Sequence, residues 1–109
     1  MKVFEFRFNP STKPDLIFDS FCYQPQTVQE KKLGSLYVIG ELKNSLPQNS
    51  RLLANLALLL KREYFLGTLP DRAFKKALKK ANDILSERVK TGNVSWLGNL
   101  SLAVLNFQD

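Results

Sequence analysis

The chain has 109 residues, of which 44% are hydrophobic and 24% charged, and its formal net charge is +6. This composition is that of an ordinary globular protein, and the length fits one domain or the N-terminal portion of a longer one. The sequence has no histidine and a single cysteine, which excludes histidine-based catalysis, an intrachain disulfide and a zinc site built from Cys and His.

Two strands are predicted in the first quarter of the chain. Three phenylalanines alternate with other residues over 3–8, which is the period-two pattern of a strand with one buried face. Charges interleave with the apolar residues there, so we do not expect a signal peptide. Aromatic and apolar residues over 15–23 predict a second strand. A loop is predicted from Pro25 to Lys32.

The third predicted strand, residues 35–41, is the most apolar so far and ends at Glu41. A turn-rich stretch, 44–50, follows it. We expect Asn49 or Ser50 to be the N-cap of the helix that begins next.

Two helices are predicted, over 51–65 and 71–90. Leucines with i, i+3, i+4, i+7 spacing fill most of the first helix, so we expect it to be covered on more than one side. Residues Thr68 to Asp71 have the form of a capping box at the start of the second helix. The second helix is amphipathic, and the residues expected to face the core are Phe74, Ala77, Leu78, Ala81, Leu85 and Val89.

An apolar, nearly continuous segment over 97–107 predicts a last strand that is buried on both faces. Three strands, two helices and a strand together predict an α+β fold, in which an antiparallel sheet is covered by an antiparallel helical hairpin. No apolar run approaches the roughly 20 residues of a membrane span. The single cysteine favours a reducing, cytoplasmic location.

Two acidic residues are candidates for metal binding, because Asp19 lies within a predicted strand and Glu41 ends another. Carboxylates on adjacent strands suit Mg²⁺ or Mn²⁺, which prefer oxygen ligands. The alternative is that Glu41 is an exposed turn residue and Asp19 an edge residue.

The second predicted helix carries a basic cluster, which is a candidate for binding nucleic-acid phosphates or an anionic membrane surface. Its members are Arg72, Lys75, Lys76, Lys79 and Lys80. The alternative is a solvated outer face. The absence of interleaved aromatic residues, on which single-stranded bases stack, favours that alternative.

The order of several segments resembles the N-terminal half of bacterial metal-dependent Ser/Thr protein phosphatases of the PPM type. The segments are Ser35-Leu36-Tyr37-Val38-Ile39-Gly40-Glu41, the leucine-rich helix, Ala81-Asn82-Asp83-Ile84-Leu85 and Trp96-Leu97-Gly98-Asn99-Leu100. The resemblance covers nearly the whole chain. It implies an αββα sandwich of two antiparallel sheets, and a pair of metal ions that activates water to attack a phosphoserine or phosphothreonine.

In this resemblance Glu41 falls on the aspartate that would bridge both metals, and Asp19 falls near another acid of the family. The metal turn departs from the family pattern, since Leu42 and Lys43 stand where glycines are expected. The phosphate-binding arginine is absent, and Gly98 is followed by Asn-Leu rather than by two threonines. The later acidic ligands of the family would lie beyond the last residue.

The chain is therefore interpreted as a PPM-phosphatase-like domain without a complete catalytic site. Its expected role is that of a noncatalytic, pseudophosphatase-like scaffold, binding or regulatory module that has a protein partner and no cofactor. One alternative is an active phosphatase that uses Mg²⁺ or Mn²⁺ when full length. The other is a module that binds nucleic acid or an anionic surface through the basic cluster.

Overall fold

The computed structural model describes residues 16–107. This part of the chain contains a three-stranded antiparallel sheet. Its strands are β1 (Ile17–Tyr23), β2 (Ser35–Leu42) and β3 (Leu100–Phe107), and β2 lies in the middle. Both pairings are antiparallel. These three strands confirm three of the four predicted ones. The strand predicted over 3–8 lies outside the described residues.

The described helices follow β1 and β2 in the chain. The short helix α1 (Val28–Lys31) lies between β1 and β2. A 3₁₀ turn (Pro47–Asn49) precedes α2 (Leu52–Phe65) and α3 (Pro70–Lys90), which connect β2 to β3. Because α2 and α3 are joined by only four residues and pack against each other, the predicted helical hairpin and the α+β class are confirmed.

The core lies between the helices and one face of the sheet. In β2, Leu36, Val38 and Leu42 are fully buried on that face, as strand alternation requires. Helix α2 covers β1 and β2 and buries these residues: Leu52, Leu53, Leu56, Ala57, Leu59, Leu60 and Tyr64. We call the face of the sheet away from the helices the outer face.

The face that α3 turns toward α2 is shifted from the predicted one. Ala73, Ala77 and Ala81 are buried, whereas Leu78 and Val89 remain 39% and 40% exposed. Small side chains along this stripe let two helices approach closely. The larger apolar residues are therefore displaced to the side of the helix contact.

The predicted side-chain caps of α2 and α3 are wrong. The N-cap positions are Arg51 and Leu69, and neither makes a capping side-chain hydrogen bond. Pro70 occupies the first helical position of α3, where the missing N–H would have no partner within the helix in any case. Asn49 is instead buried, and its Nδ2 donates to Ser95 Oγ at 2.7 Å.

Helix α1 occupies a segment that was predicted to be a loop. Thr27 Oγ1 accepts from the Glu30 backbone N–H at 3.1 Å, and Glu30 Oε1 accepts from the Gln26 N–H at 2.9 Å. This arrangement has the T-x-x-E form of a capping box, but Glu30 accepts from the residue before the N-cap rather than from the N-cap Thr27 itself. The signal for a helix start was therefore present in the sequence.

Strand β3 differs from its prediction at its start and in its burial. It begins at Leu100, because residues 97–99 form a turn in which Gly98 has a φ of 83°. Its residues alternate between half-buried and exposed, and Leu105 is 48% exposed on the outer face. The strand is thus covered on one face, and the prediction of burial on both faces is wrong.

Candidate functional site

The register of β1 against β2 places the two predicted metal ligands on opposite faces of the sheet. Asp19 pairs with Gly40, and Phe18 pairs with Glu41. Directly paired residues share a face, and successive residues of a strand alternate between faces. Asp19 therefore lies on the helix-facing side and Glu41 on the outer face. The structure does not bring these two carboxylates together.

Glu41 lies in a cross-strand row on the outer face, between Phe18 of β1 and Ser101 of β3. This row borders a shallow cleft of about 210 Å³, which Ile39 and Ala103 also line. Glu41 is half-buried. Within residues 16–107, no cluster of three or more Cys, Asp or Glu side chains could hold a metal ion.

The turn after Glu41 is built from side chains and hydrogen bonds rather than from glycine. The side chain of Leu42 is fully buried on the helix-facing side. The Lys43 backbone N–H donates to the Asn99 carbonyl at 3.0 Å, which extends the pairing of β2 with the segment before β3. Asn44 has a φ of 51°, a left-handed conformation that asparagine tolerates better than most residues. The turn is thus tied to residue 99.

The predicted basic cluster is brought together on α3. All five of its members, Arg72, Lys75, Lys76, Lys79 and Lys80, are exposed. At about 100° per residue they occupy roughly 140° of the helix circumference. The ion pair found on α3 joins Glu87 to Lys90 at 4.0 Å, and no described acid pairs with the cluster. Its five cationic side chains are therefore exposed and make no ion pair with a described acid.

A second cleft, of about 450 Å³, lies where α1 meets the C-terminal half of α2. Its apolar part consists of Leu58, Phe65 and Leu66, and its polar lining residues are Glu30, Lys61 and Arg62. The loop predicted from Pro25 to Lys32 gave no indication of this cleft, because Glu30 of α1 forms part of its lining. The T-x-x-E pattern at residues 27–30 was the signal that could have revealed it.

Two buried polar atoms have no hydrogen-bond partner among the described residues, namely Asn49 Oδ1 and Trp96 Nε1. Asn49 also donates its Nδ2 to Ser95 Oγ, and Trp96 follows Ser95 in the chain. The Asn49–Ser95 hydrogen bond joins the 3₁₀ turn to the segment that leads into β3. The sequence offered no pattern that predicts this junction.

Comparisons of the chain with protein-family models, curated proteins and solved structures find no match. The resemblance to the PPM phosphatases therefore stays a prediction. Among residues 16–107, no helix has both the length and the apolarity required to cross a bilayer.

Proposed function

We propose that this chain is a noncatalytic scaffold or binding module with a PPM-phosphatase-like fold. The observation that carries the proposal is the register that separates Asp19 from Glu41. Metal-dependent hydrolysis of a phosphoester needs ligands that converge on the same ions. A single carboxylate in a shallow, largely apolar cleft does not supply such a set. The buried side chain of Leu42, in place of a glycine, supports the same proposal.

The test is metal-dependent hydrolysis of p-nitrophenyl phosphate by the full chain with Mn²⁺. We expect the chain and its Glu41→Ala variant to give the same rate, equal to that of Mn²⁺ alone. Mn²⁺ binding, followed by calorimetry, should also be unchanged by the substitution. Glu87→Gln is a matched control, because it removes one carboxylate from the exposed face of α3. Mn²⁺-dependent hydrolysis that is abolished by Glu41→Ala and preserved by Glu87→Gln would contradict the noncatalytic proposal.

A second candidate function is the binding of an anionic macromolecular surface by the basic cluster of α3. The observation that favours it is the exposure of five cationic side chains, none of which makes an ion pair with a described acid. Such binding weakens steeply with salt, because cations on the protein and mobile ions compete for the same anionic charges. The candidate leaves the chemical class of the anion open.

A further inference from the structure

Helix α3 presents an apolar edge beside Lys75 and Lys79, two members of its basic cluster. The edge consists of Phe74, Leu78, Leu85 and Val89, spaced as one stripe along the helix. Leu78 and Val89 are exposed, while Phe74 and Leu85 are half-buried against the core. The alanine stripe makes the contact with α2, so among the described residues this second apolar stripe is only partly covered.

The charges around α3 are arranged asymmetrically about this edge. At about 100° per residue, Lys75 and Lys79 lie roughly 70° and 110° from the centre of the edge. Asp83 and Glu87 lie roughly 150° and 170° from it, on the far side of the helix. Arg72, Lys76 and Lys80 also lie on that far side, roughly 130° to 170° from the centre, and Asp71 lies roughly 30° from the centre, in the first turn before Phe74. A flat surface that touches the edge between Phe74 and Val89 therefore meets Lys75 and Lys79 and avoids Asp83 and Glu87.

We propose that α3 docks on the surface of an anionic phospholipid bilayer, with its axis in the plane of the membrane. This inference rests on the anion-binding candidate and names the anion. Leu78 and Val89 would enter the boundary between headgroups and acyl chains, and Lys75 and Lys79 would reach the lipid phosphates and carboxylates. An amphipathic helix with lysines beside aliphatic residues is the usual form of such an anchor.

The exposed aliphatic residues favour lipid over nucleic acid as the anionic partner. A nucleic-acid backbone offers phosphates to the lysines but no apolar phase for Leu78 and Val89. Proteins that bind single-stranded nucleic acid without sequence preference commonly add aromatic side chains on which bases stack, and no aromatic residue lies between Lys75 and Lys80. A second copy of the chain is disfavoured, because it would bring two basic clusters together.

The helix is long enough to make this contact along much of its length. Its 21 residues correspond to a length of about 31 Å. The apolar edge, from Phe74 to Val89, extends over about 22 Å of that length. Lysine side chains can extend their methylene stems along the apolar edge while the ammonium groups stay among the headgroups. The contact therefore needs no unfolding of the α2–α3 hairpin.

The experiment is binding of the full chain to vesicles, measured by co-sedimentation at 50 mM and 300 mM salt. The probes are phosphatidylcholine vesicles with and without 30% phosphatidylserine, duplex DNA and single-stranded RNA. We expect binding to the phosphatidylserine vesicles at low salt, a marked loss at high salt, and little binding to pure phosphatidylcholine. The salt effect follows from the shortening of the screening length.

Two pairs of variants separate charge from apolar insertion. Lys75→Gln/Lys79→Gln should weaken vesicle binding roughly twenty-five-fold, since each lysine near an anionic surface contributes about fivefold. Lys31→Gln/Lys32→Gln, at the C-terminal end of α1, removes the same charge and should have a much smaller effect. Leu78→Ser/Val89→Ser should weaken vesicle binding roughly tenfold, and should leave any binding to DNA unchanged.

A matched control for the apolar pair is Val28→Ser/Leu58→Ser, which alters exposed aliphatic residues elsewhere and should leave vesicle binding intact. Circular dichroism melts establish that each variant is folded. Binding to DNA or RNA but not to vesicles would keep the anion-binding candidate and overturn the lipid assignment. Vesicle binding that Leu78→Ser/Val89→Ser does not weaken would also overturn it. Failure to bind any of the anionic probes at 50 mM salt would reject both the anion-binding candidate and the lipid assignment.

Discussion

At the scale of single residues, Tyr64 is the polar group most deeply built into the core. Its side chain is fully buried at the end of α2. The hydroxyl donates to the Leu33 carbonyl and accepts from Asn106 Nδ2 at 3.4 Å. The Tyr64 hydroxyl therefore links three parts of the fold, namely α2, β3 and the segment that precedes β2. Burial raises the pKa of Tyr64 above its ordinary value, because an apolar environment disfavours the phenolate.

Tyr64→Phe should destabilise the fold by about 1–3 kcal/mol, because the buried Leu33 carbonyl loses its donor. The measurement is urea unfolding at pH 7, followed by circular dichroism. The raised pKa adds a dependence on pH. The unfolded chain ionises this tyrosine at a lower pH than the folded protein does, so its stabilising effect is complete below about pH 10 and is lost as pH rises further.

The pH dependence gives a second measurement for the same residue. Between pH 9 and pH 11 the unmodified chain should lose more stability than Tyr64→Phe, since both share every other ionisable group. An equal loss in the two proteins would contradict a buried, neutral phenol at this position. Tyr64→Phe that unfolds at the same urea concentration as the unmodified chain would contradict the hydrogen bond to Leu33.

The sequence identified the residues of both candidate sites, but it predicted the spatial arrangement of only one of them, the basic cluster. The basic cluster was predictable, because 3.6-residue periodicity alone puts its members on one side of a helix. Asp19 and Glu41 were different, because their faces depend on the pairing register of β1 and β2. A shift of one residue in that register would reverse the face of every side chain in a strand. No local pattern in the sequence specifies the register.

At the scale of secondary structure, the existence and type of the longer elements were predictable, while contacts between elements were not. The predicted bounds of α2 and α3 agree with the structure to within one residue, since leucine spacing and amphipathicity are local signals. The choice of Ala73, Ala77 and Ala81 over the larger apolar stripe depends on how closely two helices can approach. That choice depends on both partners, and the pattern of α3 alone could not reveal it.

The connection between α2 and α3 depends on Gly67. A methyl group there would clash with the backbone and Cβ of Ala73, so Gly67→Ala should push the two helices apart and cost about 1–3 kcal/mol. Thermal unfolding of the full chain measures the loss. Adding Ala73→Gly should recover part of it, because the Cβ clash is removed.

Gly40→Ala is a useful comparison for this prediction. A methyl group at Gly40 would lie 2.7 Å from Leu53 Cδ2 and 3.1 Å from Leu102 Cδ1, and the ends of both leucine side chains can rotate away. We expect a smaller loss than at Gly67. If Gly40→Ala were the more destabilising of the two, or if Ala73→Gly gave no recovery, the close contact between the helices would be in doubt.

At the scale of the whole molecule, the described part of the chain is a sheet with helices on one side. The sequence predicted this layer arrangement from the order of its elements, but it predicted two buried faces for the last strand. The nearly continuous apolarity of β3 is the reason for that error. Three of its four outward residues, Ala103, Leu105 and Phe107, are apolar, so its sequence has the pattern of a strand that is buried on both faces. The outer face retains exposed Ile39, Leu105 and Phe107.

Because the core lies on one face of the sheet, we expect leucines on the two faces to differ greatly in their contribution to stability. Leu36→Ala, on the helix-facing side, should cost about 2–5 kcal/mol, because it removes a fully buried side chain and leaves a cavity. Leu105→Ala, on the outer face, should cost about 0.5 kcal/mol or less. Urea unfolding of both variants at the same protein concentration measures the difference. A comparable loss in the two variants would mean that Leu105 is covered in solution, and repeating the measurement at tenfold dilution would then show whether a second copy provides the cover.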